Sequence, residues 1–469
     1  MDAVQIPRYR RPLLLSSGGL LLLAALAGTA TLAFQTPPPD PTLVGLAARV
    51  GVDSTARDSL ARVAPDELGL VARTALEADA TPPAVWIGGE PIVLHPSVVP
   101  LYHARRLAPA WSDRASRDTL LHALRASAAH GLDPDAYRAD ALTRLARALD
   151  ARENVQLDAD TAAADLDLAL TDALFRYADD VRGARVNPTD LYRHLWADHR
   201  ADAPTGLADV LGEAPSVAAW IESLPPPHPG YRRLRDALAR NLDGTGPDSV
   251  SADLLRLNLE RWRSLPRDLG ERHVWVDVPG YHAQLREDYA PVFEMKVVVG
   301  KPGRWQTPVM TDTMETIVFS PTWIMPASIQ REQYGYVRRG GRVQPPGPRN
   351  PMGRAKFLFP NNQAIYIHDT NSKRGFSREY RALSHGCVRA ADPRDFATAI
   401  LTRTNDWTED AVAEKFQGRW RPQTVVLEDT LPVHLTYFTA WAAPDGTVRT
   451  SPDVYRRDAA LAQALGLTL

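Results

Sequence analysis

The one cysteine of this 469-residue chain, Cys387, lies in Ser384-His385-Gly386-Cys387-Val388-Arg389. A thiolate is a strong nucleophile, and a neighbouring imidazole can generate it. Two histidines are near in sequence. His385 stands two residues before the cysteine, and His368 nineteen before it in Ile365-Tyr366-Ile367-His368-Asp369-Thr370. That second segment reads as a strand running into a loop, a position rigid enough to hold a base. Asp369, through its carboxylate, or a backbone carbonyl nearby would orient the imidazole as the third member of a triad. Gly386 lets the backbone approach a reacting carbonyl closely. N–H groups around His385, Gly386 and Cys387 would then form an oxyanion hole. Arg389 suits a carboxylate, which a guanidinium grips with two parallel hydrogen bonds. By itself a lone cysteine is most often a small buried hydrophobe. The neighbours point instead to nucleophilic catalysis.

The elements that position these groups follow from the rest of the chain. The length predicts two to four domains. Apolar content of 44% and charged content of 23% are those of a globular protein with ample core. A net charge of −2 gives no footprint for nucleic acid. A single cysteine excludes an intramolecular disulfide. Arg8, Arg10 and Arg11 precede an uncharged apolar stretch of 23 residues from Pro12 to Phe34. This predicts a signal-anchor or signal peptide over residues 1–34, with the remainder exported. Small residues near its end leave cleavage open, and an uncleaved anchor is slightly favoured. Pro37, Pro38 and Pro39 start a Pro/Ala-rich linker region over 35–96.

Residues 97–250 read as a helical scaffold domain. Asp118 to His130 carries Leu120, Leu121 and Leu124 on one face and stops at Gly131. Thr161 to Val181 repeats Leu166, Leu170, Ala173, Leu174, Tyr177 and Val181 at helical spacing. Asp165, Asp167, Asp172, Asp179 and Asp180 lie mostly on the other side, which predicts a solvated face and not a metal site. His194 and His199 are five apart, the wrong spacing for two ligands on one helical face. A short helix from Tyr231 to Asn241 follows the prolines at 225–229. Ser251 caps a connecting helix over 251–270 whose Leu255, Leu259 and Trp262 would dock one domain on the next.

From 271 to 469 the period changes to two. Val274, Val276 and Val278 alternate with His273, Trp275 and Asp277, and Phe293 to Val299 alternates likewise. Thr316–Phe319, Tyr366–Ile367, Thr424–Leu427 and Val433–Thr439 read as further strands, with helices over Pro393–Leu401 and Thr408–Phe416. The fold class is therefore α+β. No Walker or dinucleotide fingerprint is present, and no metal or organic cofactor is expected.

The motifs resemble a known family. Tyr366-Ile367-His368-Asp369-Thr370-Asn371-Ser372-Lys373 followed by Leu383 to Arg389 is similar to the signature of the L,D-transpeptidases, YkuD-type catalytic domains, and within them the YcbB-like branch. Leu257 to Asp268, Val297 to Pro302, Phe319 to Trp323, Gly353 to Phe357, Thr439 to Trp441 and the Gly131-Leu132-Asp133-Pro134 region extend the likeness over roughly 97–469. The resemblance implies a mainly β catalytic domain beside a helical scaffold domain, on the periplasmic face of the inner membrane or free in the periplasm. It implies that Cys387 attacks the carbonyl joining diaminopimelate to the terminal D-alanine of a peptidoglycan tetrapeptide stem. D-Alanine leaves, and a second stem's diaminopimelate amine resolves the thioester. His368 is then general base and acid, and His385 with Gly386 shapes the site. Arg389, Ser384, Tyr366, Trp323 and Asp369 are the substrate-binding candidates. Wall-lipoprotein attachment, hydrolytic release, and a non-catalytic glycan-binding scaffold are the alternatives. Two departures from the family stand out. Only the 242–250 linker stands where relatives often carry a small wall-binding module, and the covering segment Ile324 to Gln344 is short. Wall binding would then rest on the catalytic groove.

Overall fold

The computed structural model describes residues 84–87, 90–105, 108–151, 159–192, 207, 211, 214–246 and 250–469. The apolar segment from Pro12 to Phe34, most of the following linker, and His194 and His199 lie outside the described residues. Among the described residues no helix is long and apolar enough to cross a membrane.

The helical part begins with a hairpin of β1 (Ala84–Ile87) and β2 (Glu90–Val93). It continues with α1 (Val98–Ala104), α2 (Arg114–Ala126), α3 (Ala139–Asp150), α4 (Ala159–Arg182), α5 (Pro188–Tyr192) and α6 (Ala214–Ser223). Asp113 starts α2 by accepting from the Ala115 and Ser116 amides. A 3-10 turn over Ser127–His130 then ends at Gly131, whose φ of 75° is the left-handed stop that glycine permits. Leu120, Leu121, Leu124, Leu166, Leu170 and Leu174 share one core.

The solvated acidic face expected on α4 is not observed. Asp165, Asp167 and Asp172 are buried, because α4 runs through the middle of the scaffold and other elements cover it on both sides. Asp167 accepts from the Ala110 and Trp111 amides at 3.0 Å, and from the Tyr102 hydroxyl. Asp172 accepts from the His95 amide at 2.6 Å, and Asp180 from the Tyr137 hydroxyl at 2.7 Å. Only Asp179 is exposed. These carboxylates satisfy loop amides that no helix or strand can pair.

Two helices join this body to the sheet. α7 (Pro229–Leu242) begins at Pro229, whose missing N–H costs nothing at a first helical turn. α8 (Ala252–Arg263) is capped by the Ser251 hydroxyl, which accepts from the Leu254 amide at 3.2 Å. Leu255, Leu259 and Trp262 pack with Tyr231, Trp275 and Phe438 in a second core. The other side of α8 is buried as well. Arg261 pairs with Asp458 at 2.6 Å, Arg263 with Glu260 at 2.9 Å, and Arg263 also donates to the His130 carbonyl.

The remaining strands are β3 (Arg272–Asp277), β4 (His282–Glu287), β5 (Ala290–Gly300), β6 (Met310–Phe319), β7 (Trp323–Met325), β8 (Arg342–Gln344), β9 (Ala355–Leu358), β10 (Ile367–His368), β11 (Ala382–Ser384), β12 (Val388–Ala390), β13 (Gln423–Thr436), β14 (Ala440–Ala442) and β15 (Val448–Thr450). A nine-stranded sheet runs β11-β5-β12-β10-β9-β6-β13-β3-β4, and β4 pairs back onto β5, closing it. Val274, Val276, Val297, Ile317, Phe357, Ile367 and Val388 fill its interior. β13 is one strand where two were expected. It follows β6 along its whole length, with the register shift falling between Val426 and Leu431. α10 (Pro393–Thr404) and α11 (Glu409–Gln417) cover one side, and α12 (Asp458–Leu465) ends the chain against α8. α9 (Ala327–Tyr334) sits inside the β7–β8 hairpin, so the short covering segment is a compact strand–helix–strand unit.

Candidate active site

Strand alternation assembles the site. Ile367, Val388 and Phe357 point into the core, so their neighbours Tyr366, His368, Cys387, Arg389 and Lys356 take the opposite face. Register sets them side by side: His368 lies opposite Arg389 on β12 and opposite Lys356 on β9. Cys387 is half-buried at the start of β12, and its thiol faces the Ala364 carbonyl at 3.7 Å.

His368 is buried, 3% exposed, and its Nδ1 meets the Asp369 carbonyl. A carbonyl only accepts, so Nδ1 carries the proton and Nε2 is left as the basic lone pair. The orienting third group is thus the Asp369 backbone. The Asp369 carboxylate accepts instead from the Arg354 amide at 2.6 Å, the Thr370 amide at 2.6 Å and Lys373 at 2.8 Å. Gly353, at φ 58°, makes room for it, since a Cβ there would stand 2.2 Å from Oδ2. Burial lowers the His368 pKa to about 3, and the charges on Arg389 and Lys356 push the same way. Burial raises the Cys387 thiol, while the Tyr366 N–H and hydroxyl, then Lys356 and Arg389, oppose it by favouring the thiolate. Imidazole and thiol are therefore both neutral at rest.

Two cations flank this pair without carboxylate partners. Lys356 Nζ lies 3.8 Å from the centre of the Tyr366 ring and makes no ion pair among the described residues. Arg389 makes none either, and its Nε is buried without an acceptor.

The loop before the cysteine is braced from within. Ser384 Oγ donates to the Cys387 carbonyl at 2.6 Å and accepts from the Gly386 amide at 3.2 Å. Thr307 Oγ1 donates to the Gly386 carbonyl at 2.7 Å. Gly386 holds φ 115°, a conformation that side chains strain. The amides of His385 and Cys387 make no hydrogen bond within the described residues. His385 packs edge-on against Trp305 at 4.8 Å, and its Nε2 meets Glu332 of α9 at 3.3 Å. Lys301 and Arg304 reach the same carboxylate at 3.2 and 3.0 Å, which ties the covering unit to the loop.

Residues 271–414 match the family of L,D-transpeptidase catalytic domains, and residues 96–238 match the Scaffold domain family. The chain carries an L,D-transpeptidase catalytic domain. A Haemophilus influenzae protein named "Putative L,D-transpeptidase" is 27% identical over 413 residues, which are 79% of this chain and 80% of that protein. An L,D-transpeptidase from Mycobacterium smegmatis aligns at 16% identity and a TM-score of 0.22, over 35% of this chain and 58% of the other. A variant of the Enterococcus faecium L,D-transpeptidase aligns at 14% and 0.21, over 36% and 50%.

Within the transpeptidase domain, the residues singled out from sequence separate into two groups. Cys387, His368, Tyr366 and Arg389 share one sheet face. Ser384 and Asp369 are buried, with their side-chain oxygens engaged by the protein. Gly386 holds the loop at its positive φ, with its amide donating to Ser384 Oγ. Trp323 is buried in β7, paired with Gln344 at the root of the covering unit. Lys356, Thr307 and Glu332 were not foreseen. Lys356 follows Ala355 and precedes Phe357 in an alternating run, but only the β9–β10 register shows that it lies opposite His368.

Proposed function

We propose that the chain cross-links peptidoglycan stems between diaminopimelate residues through a Cys387 thioester, on the outer side of the membrane that its N-terminal segment would address. The observation that carries this reading is the pair of unpaired cations, Lys356 and Arg389, on either side of a neutral His368 that shares a sheet face with Cys387. Stem peptides present carboxylates next to the scissile amide, and unpaired cations suit them.

As Sγ attacks the carbonyl between diaminopimelate and D-alanine, its proton passes to His368 Nε2. The developing oxyanion would take the free amides of Cys387 and His385. His368 then returns the proton to the departing D-alanine amine, leaving the thioester. The acceptor amine attacks that thioester and gives a proton to His368. Collapse forms the new amide and restores the thiol, so every proton taken is given back.

Tetrapeptide-bearing wall fragments incubated with the enzyme, followed by mass spectrometry, test the proposal. D-alanine release with new dimers supports it, together with loss of both in Cys387→Ala. Release without dimers assigns the thioester to water, and transfer only to a lipoprotein amine assigns it to wall anchoring. Equal activity in Cys387→Ala defeats the cysteine chemistry altogether.

A further inference from the structure

The outer face of β3 and β4 meets α7 and β14 around a cavity of about 100 Å³ that the cysteine site does not use. Val274, Val276, Ala283 and Leu285 point into the core, so Trp275, Asp277, Gln284 and Arg286 turn outward and line it.

Two guanidiniums meet there. Arg286 lies 4.4 Å over the Trp275 ring, with Nε donating to Gln284 Oε1 at 2.8 Å. Arg233 reaches in from α7, with Nε donating to the Ala442 carbonyl at 3.2 Å. Both forks are thus held by one edge, and their terminal nitrogens make no further hydrogen bond or ion pair among the described residues. They also repel each other. Burial lowers Arg286 to about 10; Asp277 opposes this, and Arg233 adds to it. Asp277 and Glu294 favour the charged Arg286 from a distance, but neither makes an ion pair with it or with Arg233 among the described residues, so a carboxylate bound between the two guanidiniums would supply the direct pairing they lack. The one acidic lining residue, Asp277, is itself pushed up to about 6 by burial, and its Oδ1 is buried without a donor.

The rim is aromatic. Trp441 is half-buried, and Tyr289 is exposed at the β4–β5 turn, held at φ 64°. Such planes take the C–H face of a sugar ring. A peptide would instead need an open strand edge; β3 and β4 offer none, and β14, which pairs only with β15, has its Ala442 carbonyl taken by Arg233. β3 is paired by β4 and β13, and β4 by β3 and β5.

We infer that this cavity binds a carboxylate-bearing saccharide, the acid group between Arg233 and Arg286 and the ring against Trp441 and Tyr289. The inference does not depend on the cysteine chemistry.

The probe is N-acetylmuramic acid, titrated into the full-length chain and followed by calorimetry and by tryptophan fluorescence, which Trp275 and Trp441 would report. Saturable binding is expected. Neutral N-acetylglucosamine and the peptide acid D-alanyl-D-alanine should each bind about tenfold more weakly or worse. Arg233→Gln and Arg286→Gln should each lose about tenfold in affinity, while Cys387→Ala changes nothing. Melting curves verify that each variant is folded, and Arg233→Gln serves if Arg286→Gln does not fold. No binding of the acid, equal binding of the neutral sugar or of the dipeptide, or full affinity in a folded Arg233→Gln overturns the inference.

Discussion

Lys356 and Arg389 stand on either side of His368 in the sheet, and each raises the cost of placing a proton on it. With a pKa near 3, the imidazole is free to accept the thiol's proton across the whole range in which an ordinary histidine titrates. The kcat/KM for D-alanine release should therefore stay level as pH falls from 7 to 5. A tenfold loss per pH unit below 6.5 would show that His368 is not so held. Lys356→Met removes one of the two charges. Its acid limb should move toward neutrality, and kcat/KM should fall about tenfold or more as the proposed charge-assisted contact to substrate disappears. A pH profile identical to the parent's would assign Lys356 to packing alone. The candidates Cys387 and His368 were legible because one segment of twenty residues holds both. Lys356 was not, because its place beside His368 is set by pairing between β9 and β10, which sequence distance does not report.

At the scale of elements, the same non-locality hides buried carboxylates. An aspartate opposite an apolar stripe reads as solvated, yet α4 is covered on both sides, and Asp167, 4% exposed, holds two amides and a hydroxyl. Replacing Asp167 with Ala would leave those donors buried without an acceptor. A loss of about 3 kcal/mol or more is expected in denaturant unfolding. A loss under about 1 kcal/mol would mean that the loop readily finds water. The cysteine loop makes a smaller claim. Ser384→Ala forfeits two hydrogen bonds around Cys387, so about 1 kcal/mol of stability and a fall in kcat larger than any change in KM are expected. An unchanged kcat would show that the loop keeps its shape without that brace. Strand and helix periods were readable because they are local. The continuity of β13 was not, since β6 enforces it from more than a hundred residues away.

For the whole molecule, the junction between scaffold and sheet is the part that sequence showed least. Leu255, Leu259 and Trp262 mark one docking face of α8, but Asn258, Glu260, Arg261 and Arg263 are buried too, which no amphipathic pattern announces. His130 sits at this junction. Its Nδ1 meets the Tyr231 hydroxyl at 2.8 Å, and its carbonyl receives Arg263. Burial, then the charges of Arg263 and Arg235, lower its pKa to about 3. The unfolded chain takes up a proton near pH 6.5 and the folded one does not, so the unfolded state binds more protons between those values. The stability that neutral His130 contributes is complete above about pH 6.5 and drains away as pH falls toward 3. Each pH unit in that window is worth about 1.4 kcal/mol, so the step from pH 7 to 5 removes about 2 kcal/mol through this residue. His228, lowered to about 4, and His368, lowered to about 3, add to the loss. Asp277, raised to about 6, opposes it, because folding then favours its protonated form. The difference between parent and His130→Gln isolates the one term. Urea unfolding at pH 7 and pH 5 should show the variant losing about 2 kcal/mol less between the two than the parent does. Parallel losses would mean that His130 is protonated in the folded junction, and that the contact between scaffold and sheet does not depend on keeping it neutral.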